Sequence, residues 1–131
     1  EASGNTELVL RTMAACGDDF NIWSGNDTQI VPLMAMGSKG VISVLANICP
    51  SATAELAGAC LQGDYQKAAA MQIRYMELID ALFCEVNPIP VKTALNLMGM
   101  EVGPLRMPLC EMEDAAKARL SAAMEKIGLL P

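Results

Sequence analysis

The sequence predicts an α/β fold that gives way to an all-helical part. The first fifty residues alternate helix, strand, helix, strand. Their connections are short, yet the strands lie too far apart for hairpins, which is the βαβ pattern of a parallel sheet. From about residue 50 onward the pattern is helical throughout.

Each element has a local reason. Leu8, Val9, Thr12 and Met13 share one face at helical spacing, Asn5 is suited to cap that helix, and Gly17 stops it at about Cys16. After the Gly17-Asp18-Asp19 turn, residues 20–24 read as a short strand. Gly25-Asn26-Asp27 forms a tight turn before a second apolar helix, from about Thr28 to Met36. Residues 40–44 (Gly-Val-Ile-Ser-Val) are apolar and β-branched, the kind of strand buried on both faces of a parallel sheet. Both strands end in polar or glycine-containing loops. A helix over 51–62 follows Pro50 and ends at Gly63, and Asp64 is placed to cap a long helix to about Phe83. Pro90 suits the first turn of a helix reaching about Leu97. Residues 99–110 are irregular, and a last helix is expected from Cys110 or Glu111 to Lys126. A soft boundary falls near residue 63, giving segments 1–63 and 64–131.

Composition narrows the function classes. At 131 residues the chain can bury a core but is too short for a closed eight-stranded α/β barrel, which needs ~250 residues. A net charge of −6 and a pI near 4.5 argue against a nucleic-acid partner. Apolar residues make up 53% and mean hydropathy is +0.32, so the chain needs partners or more of its own fold to cover apolar surface. No apolar run approaches the ~20 residues that cross a bilayer. The first residues have no basic or apolar leader character, and the missing initiator methionine points to an internal start. Histidine is absent, which removes Ser-His-Asp and Cys-His chemistry and the common zinc sites, so no metal is expected. The five cysteines (Cys16, Cys49, Cys60, Cys84 and Cys110) show no C-x-x-C spacing. They read as small buried apolar residues in a reducing cytoplasm.

Five strings occur in one order: Glu1-Ala-Ser-Gly-Asn5, Ser24-Gly-Asn-Asp27, Gly40-Val-Ile-Ser-Val44 with Ala46-Asn47, Asn87-Pro-Ile-Pro-Val-Lys92, and Leu105-Arg-Met-Pro-Leu109 before a Gly-Leu-Leu tail. Together they resemble the dihydrodipicolinate synthase family over the whole chain. The resemblance implies the C-terminal part of a TIM (β/α)8 barrel followed by a C-terminal helical extension, with residues 20–24 and 40–44 as its seventh and eighth strands. It also implies a Schiff-base lyase that condenses pyruvate with aspartate semialdehyde in lysine biosynthesis, with no cofactor beyond the covalent lysine–pyruvate imine.

In that family a lysine precedes the Glu-Ala-(Ser/Thr)-Gly-Asn string, so the catalytic lysine is expected immediately before Glu1 and no catalytic residue lies in this chain. The start just past it fits either a half-barrel fragment or a break at a lysine carrying an adduct. By resemblance Ile42 contacts pyruvate, mainly through its backbone, and Gly25 leaves room at the mouth of the seventh strand. Asn26 and Asp27 stand where the family often has two acids and are weaker candidates for handling the second substrate, since only Asp27 keeps the charge. Thr6, Glu7 and Met36 match oligomer contacts, implying a homo-oligomer, most often a tetramer, in the cytoplasm. The proton-shuttling tyrosine and the aldehyde-orienting arginine belong to the N-terminal half, a required partner. Tyr65, Tyr75 and Lys92 read as structural. The alternatives are another pyruvate-dependent aldolase (an N-acetylneuraminate or keto-sugar-acid lyase) or a non-catalytic half-barrel fragment.

Overall fold

A computed structural model describes residues 1–130. The chain divides into two compact units, residues 1–74 and 75–131, with the division inside a long helix. Among the described residues, six α-helices carry the fold: α1 (Thr6–Cys16), α2 (Ile30–Ala35), α3 (Pro50–Leu61), α4 (Tyr65–Leu82), α5 (Ile89–Leu97) and α6 (Asp114–Lys126). No helix among the described residues is long and apolar enough to cross a membrane.

Helix ends follow the sequence signals. The Asn5 side chain accepts the Leu8 N–H at 3.1 Å, satisfying a donor the first turn of α1 leaves open. Gly17 ends α1 at φ 79°, a backbone region that costs other residues energy. Pro50 occupies the first turn of α3, where its missing N–H is not needed. Asp64 Oδ1 accepts the Lys67 N–H at 3.0 Å at the start of α4.

The first unit is held by two apolar clusters. Ile30 and Met34 of α2 meet Leu56, Ala59 and Cys60 of α3 and Ala68 of α4, with Val41 packed on the edge. Val9 of α1, Ile22 and Leu33 form the second cluster, flanked by Met13 and Met36. Leu8, expected on the same buried face as Val9, is instead 48% exposed. In the second unit α5 packs on α6. Lys92 Nζ donates to the Pro104 carbonyl at 2.6 Å, and Asn96 Oδ1 accepts the Val102 N–H at 3.0 Å. These bonds tie the irregular 99–110 segment to α5. Lys126 also pairs with Glu77.

Four expectations need correction. Among the described residues, 20–24 and 40–44 meet in an isolated parallel bridge, Ser24 with Val41, rather than in strands, and Val44 already has helical backbone angles. The ladder is too short to extend beyond it. The 40–44 segment is not buried on both faces, because Ile42 is 72% exposed on a side that nothing in this chain covers. The last helix starts at Asp114, not at Cys110 or Glu111. Met112 is buried there, and the Glu113 N–H is taken by Glu85 Oε1 at 3.1 Å, which holds the segment before the helix extended. Finally, Cys49 and Cys60 are buried as expected, whereas Cys16 and Cys110 are exposed.

Candidate functional site

Three chain segments run side by side in the first unit. The Glu1 nitrogen donates to the Trp23 carbonyl at 2.8 Å, and the Gly25 N–H donates to the Glu1 carbonyl at 2.7 Å. On the other side of the same segment, the Ser24 N–H donates to Gly40 O at 2.9 Å and the Ile42 N–H to Ser24 O at 2.7 Å. Both pairs have the slanted pattern of a parallel ladder. Glu1, Ser24 and Val41 therefore stand in one register, with the 23–25 segment in the middle.

The register sorts the side chains. Successive residues of an extended segment point to opposite faces. Ile22 and Ser24 turn inward and are buried. Trp23, Gly25, Gly40, Ile42 and Ala2 share the opposite, open face, where Trp23 is 45% exposed. That face is closely fitted at its two glycines. A Cβ on Gly40 would lie 2.6 Å from Trp23 Cζ3, so the indole sits directly over that glycine. A Cβ on Gly25 would meet Ala2 Cβ at 3.1 Å and Glu1 O at 3.3 Å. Gly25 thus makes room for the neighbouring 1–2 segment.

Ile42 presents an exposed side chain, and its N–H is already used by Ser24. Its carbonyl is the backbone group left to meet a ligand. Asn26 caps the short 3-10 turn Asp27–Gln29: its Oδ1 accepts the Thr28 N–H at 3.1 Å and the Thr28 hydroxyl at 2.8 Å. Asp27 is fully buried, and its Oδ2 accepts the Leu45 N–H at 2.8 Å. The Glu1 carboxylate accepts the Ser3 N–H at 2.7 Å, and bonding to Ser3 holds its pKa below the usual range. Among the described residues no cluster of His, Cys, Asp or Glu could hold a metal ion.

The other sequence-picked residues lie elsewhere. Thr6 and Glu7 are exposed on the first turn of α1, with Glu7 paired to Arg11 at 2.6 Å. Met36 ends α2, half-buried against Val9, Ile22 and Leu33. The Tyr65 hydroxyl lies 3.5 Å from the Met34 carbonyl. Lys92 is bonded to Pro104.

A model of the dihydrodipicolinate synthetase family matches residues 1–127. The chain belongs to this family. The 4-hydroxy-tetrahydrodipicolinate synthase of Lachnoclostridium phytofermentans is 50% identical over 130 residues, which is 99% of this chain and 44% of that protein. The dihydrodipicolinate synthase structure from Aquifex aeolicus superposes with a TM-score of 0.95 at 37% identity, covering 98% of this chain and 44% of that one. The chloride-inhibited dihydrodipicolinate synthase of Acinetobacter baumannii, complexed with pyruvate, gives 0.93 at 33% identity over the same shares of the two chains. The chain therefore spans less than half the length of the relatives it matches.

Within the family frame, the structure brings Gly25 and Ile42 together on one face, next to Glu1. It sets Thr6, Glu7 and Met36 apart from that face. Sequence reasoning missed Trp23 as a member of the face and the clasp made by Asp27. The first could be seen only once the register was known. The second carried a signal in the sequence, an acid followed by an apolar helix, but its partner lies far along the chain.

Proposed function

We propose that this chain is the C-terminal part of a 4-hydroxy-tetrahydrodipicolinate synthase, a Schiff-base lyase that joins pyruvate to aspartate semialdehyde. The single observation that carries the reading is the register of Glu1, Ser24 and Val41. A residue preceding Glu1 in that register points to the same face as Trp23, Gly25 and Ile42. A lysine there has the backbone of two glycines beside it and the exposed Ile42 across from it. Family membership adds support, since the matched relatives carry the synthase name.

The chemistry follows from a lysine in that setting. Its neutral amine attacks the pyruvate ketone, and loss of water leaves an iminium. A wall of apolar groups favours the neutral amine by disfavouring its charged form. The iminium accepts the electron pair released when the methyl group loses a proton, giving an enamine. The enamine carbon then attacks the aldehyde. In this scheme the chain supplies the Ile42 carbonyl and side chain beside pyruvate, and Gly25 lets the 1–2 segment, and the lysine before it, come close. The N-terminal part of the barrel supplies the proton-handling and aldehyde-binding groups. The division into barrel (1–63) and helical extension (64–131), a cytoplasmic setting, and a homotetramer using Thr6, Glu7 and Met36 are further parts of the reading.

The test uses the full-length protein. Borohydride reduction in the presence of pyruvate is expected to trap an adduct on the residue before Glu1, located by peptide mass mapping. Turnover with aspartate semialdehyde, but not with sugar-derived aldehydes, is expected in the same preparation. An adduct on Lys92, or none, would refute the assignment.

A further inference from the structure

Asp27 is a buried acid that the proposed reaction does not use. It has no accessible surface. Its Oδ2 accepts the Leu45 N–H at 2.8 Å, and its main-chain carbonyl accepts from Gln72 Nε2 of α4 at 2.9 Å, while its Oδ1 has no hydrogen-bond partner. Burying a carboxyl this way opposes folding unless its bonds do something specific.

What the bonds do is close a loop pair. The 42–45 segment carries Ile42 at one end and Leu45, the start of a 3-10 turn (Leu45–Asn47), at the other. Ile42 is tied to Ser24 by its N–H, and Leu45 is tied to Asp27 by its own. Ser24 and Asp27 flank Gly25 and Asn26. Two cross-links thus fasten the loop after residue 24 to the loop after residue 41, one at each end. Within this chain the Ile42 side chain is 72% exposed, so none of the chain's own packing sets its orientation. Backbone bonds hold it instead: Lys39 N–H to Ile22 O, Ser24 N–H to Gly40 O and Ile42 N–H to Ser24 O fix the chain up to Ile42, and the Asp27 carboxyl fixes Leu45 beyond it. Without the carboxyl, the residues after Ile42 lose their tie to the loop after residue 24, and the Ile42 carbonyl is held from one side only.

We propose that Asp27 is a positioning residue: its carboxyl clasps the two loops so that Ile42 is held against bound pyruvate. The proposal rests on the Schiff-base reading above. It assigns Asp27 no contact with substrate.

The experiment compares Asp27→Ala, Asp27→Asn and Leu56→Ala in the full-length enzyme, reading the pyruvate concentration for half-maximal borohydride trapping beside thermal stability. Asp27→Ala is expected to raise that concentration by ~tenfold or more, the size of one lost buried polar bond. Asp27→Asn keeps an acceptor for the Leu45 N–H and is expected to stay within ~threefold of the parent. Leu56→Ala, which loosens the core of the same unit, is expected to lower stability and leave the concentration unchanged. If Asp27→Ala does not fold, Asp27→Ser, which keeps a hydroxyl but cannot reach Leu45, takes its place with the same expected direction. A parent that traps pyruvate beside an Asp27→Ala or Asp27→Ser variant with parental concentration dependence overturns the clasp alone. So does an Asp27→Asn variant as impaired as Asp27→Ala. A parent that traps nothing overturns the Schiff-base reading and the clasp with it.

Discussion

Gly25→Ala is the sharpest probe of the register, because the added methyl has one direction to push. Its carbon would sit 3.1 Å from Ala2 Cβ and 3.3 Å from Glu1 O. Carbon atoms rest at ~3.5–4.0 Å, so the 1–2 segment must retreat by roughly 0.5 Å. The Gly25 N–H to Glu1 O bond, now 2.7 Å, then stretches to ~3.2 Å, the long end of the normal range, and gives up part of its worth of about 1 kcal/mol. The functional effect is expected to exceed the stability effect. The residue before Glu1 moves with the segment, and a misplacement of ~1 Å can cost ~100-fold in rate. Half that displacement is expected to slow pyruvate trapping in the full-length enzyme by ~tenfold, while urea denaturation reports a loss below ~1 kcal/mol. Removing the closer obstacle with Ala2→Gly in the Gly25→Ala background is expected to restore part of the rate, since only the 3.3 Å contact remains. Parental trapping by Gly25→Ala, or no recovery in the double variant, would refute the argument that Gly25 exists to admit its neighbour.

Other perturbations separate the remaining roles. Leu56→Ala removes a fully buried side chain from the cluster of α2, α3 and α4, and is expected to cost ~2–5 kcal/mol in chemical denaturation. Lys92→Met leaves the Pro104 carbonyl without its donor; limited proteolysis is expected to cut the 99–110 segment faster, with pyruvate trapping unchanged. Cys16 and Cys110 are expected to react first with a thiol reagent. Burial pushes the Cys49 and Cys60 thiols up, so the unfolded chain gives up those protons first. Their contribution to stability is therefore intact below the ordinary thiol range and falls as pH rises past ~8.5, measurable as a drop in Tm.

Helix positions were legible because their signals are local. Asn5, Gly17, Pro50, Asp64 and Pro90 each act within a turn of themselves, and each stands where the sequence placed it. The start of α6 was misjudged because Glu113 is held by Glu85, a partner from a different part of the chain that no local pattern announces. The two strand segments pair only at Ser24 and Val41, and 40–44, expected to be buried on both faces, is not. Hydrophobicity marks a residue as wanting cover, but not whether this chain provides it, and Ile42 is the case in point. Gly25 and Ile42 were identified through the family strings. Trp23 over Gly40 was not, because opposing residues are named by register, and register is a property of three segments at once.

The way this chain builds its face also explains its composition. The open face is made of backbone, two glycines and apolar side chains, with no ionisable group among Trp23, Gly25, Gly40 and Ile42. In the proposed reaction such surroundings would favour the neutral form of a lysine, since anionic neighbours or water would stabilise its ammonium form. Histidine is not needed for that task. Of the acids nearby, Asp27 is turned into the core, where it accepts the Leu45 N–H. Under the proposed Schiff-base reading, a covalent step that needs a neutral amine would meet a neutral wall here, with the carboxylate of the adjoining loop turned inward onto the backbone.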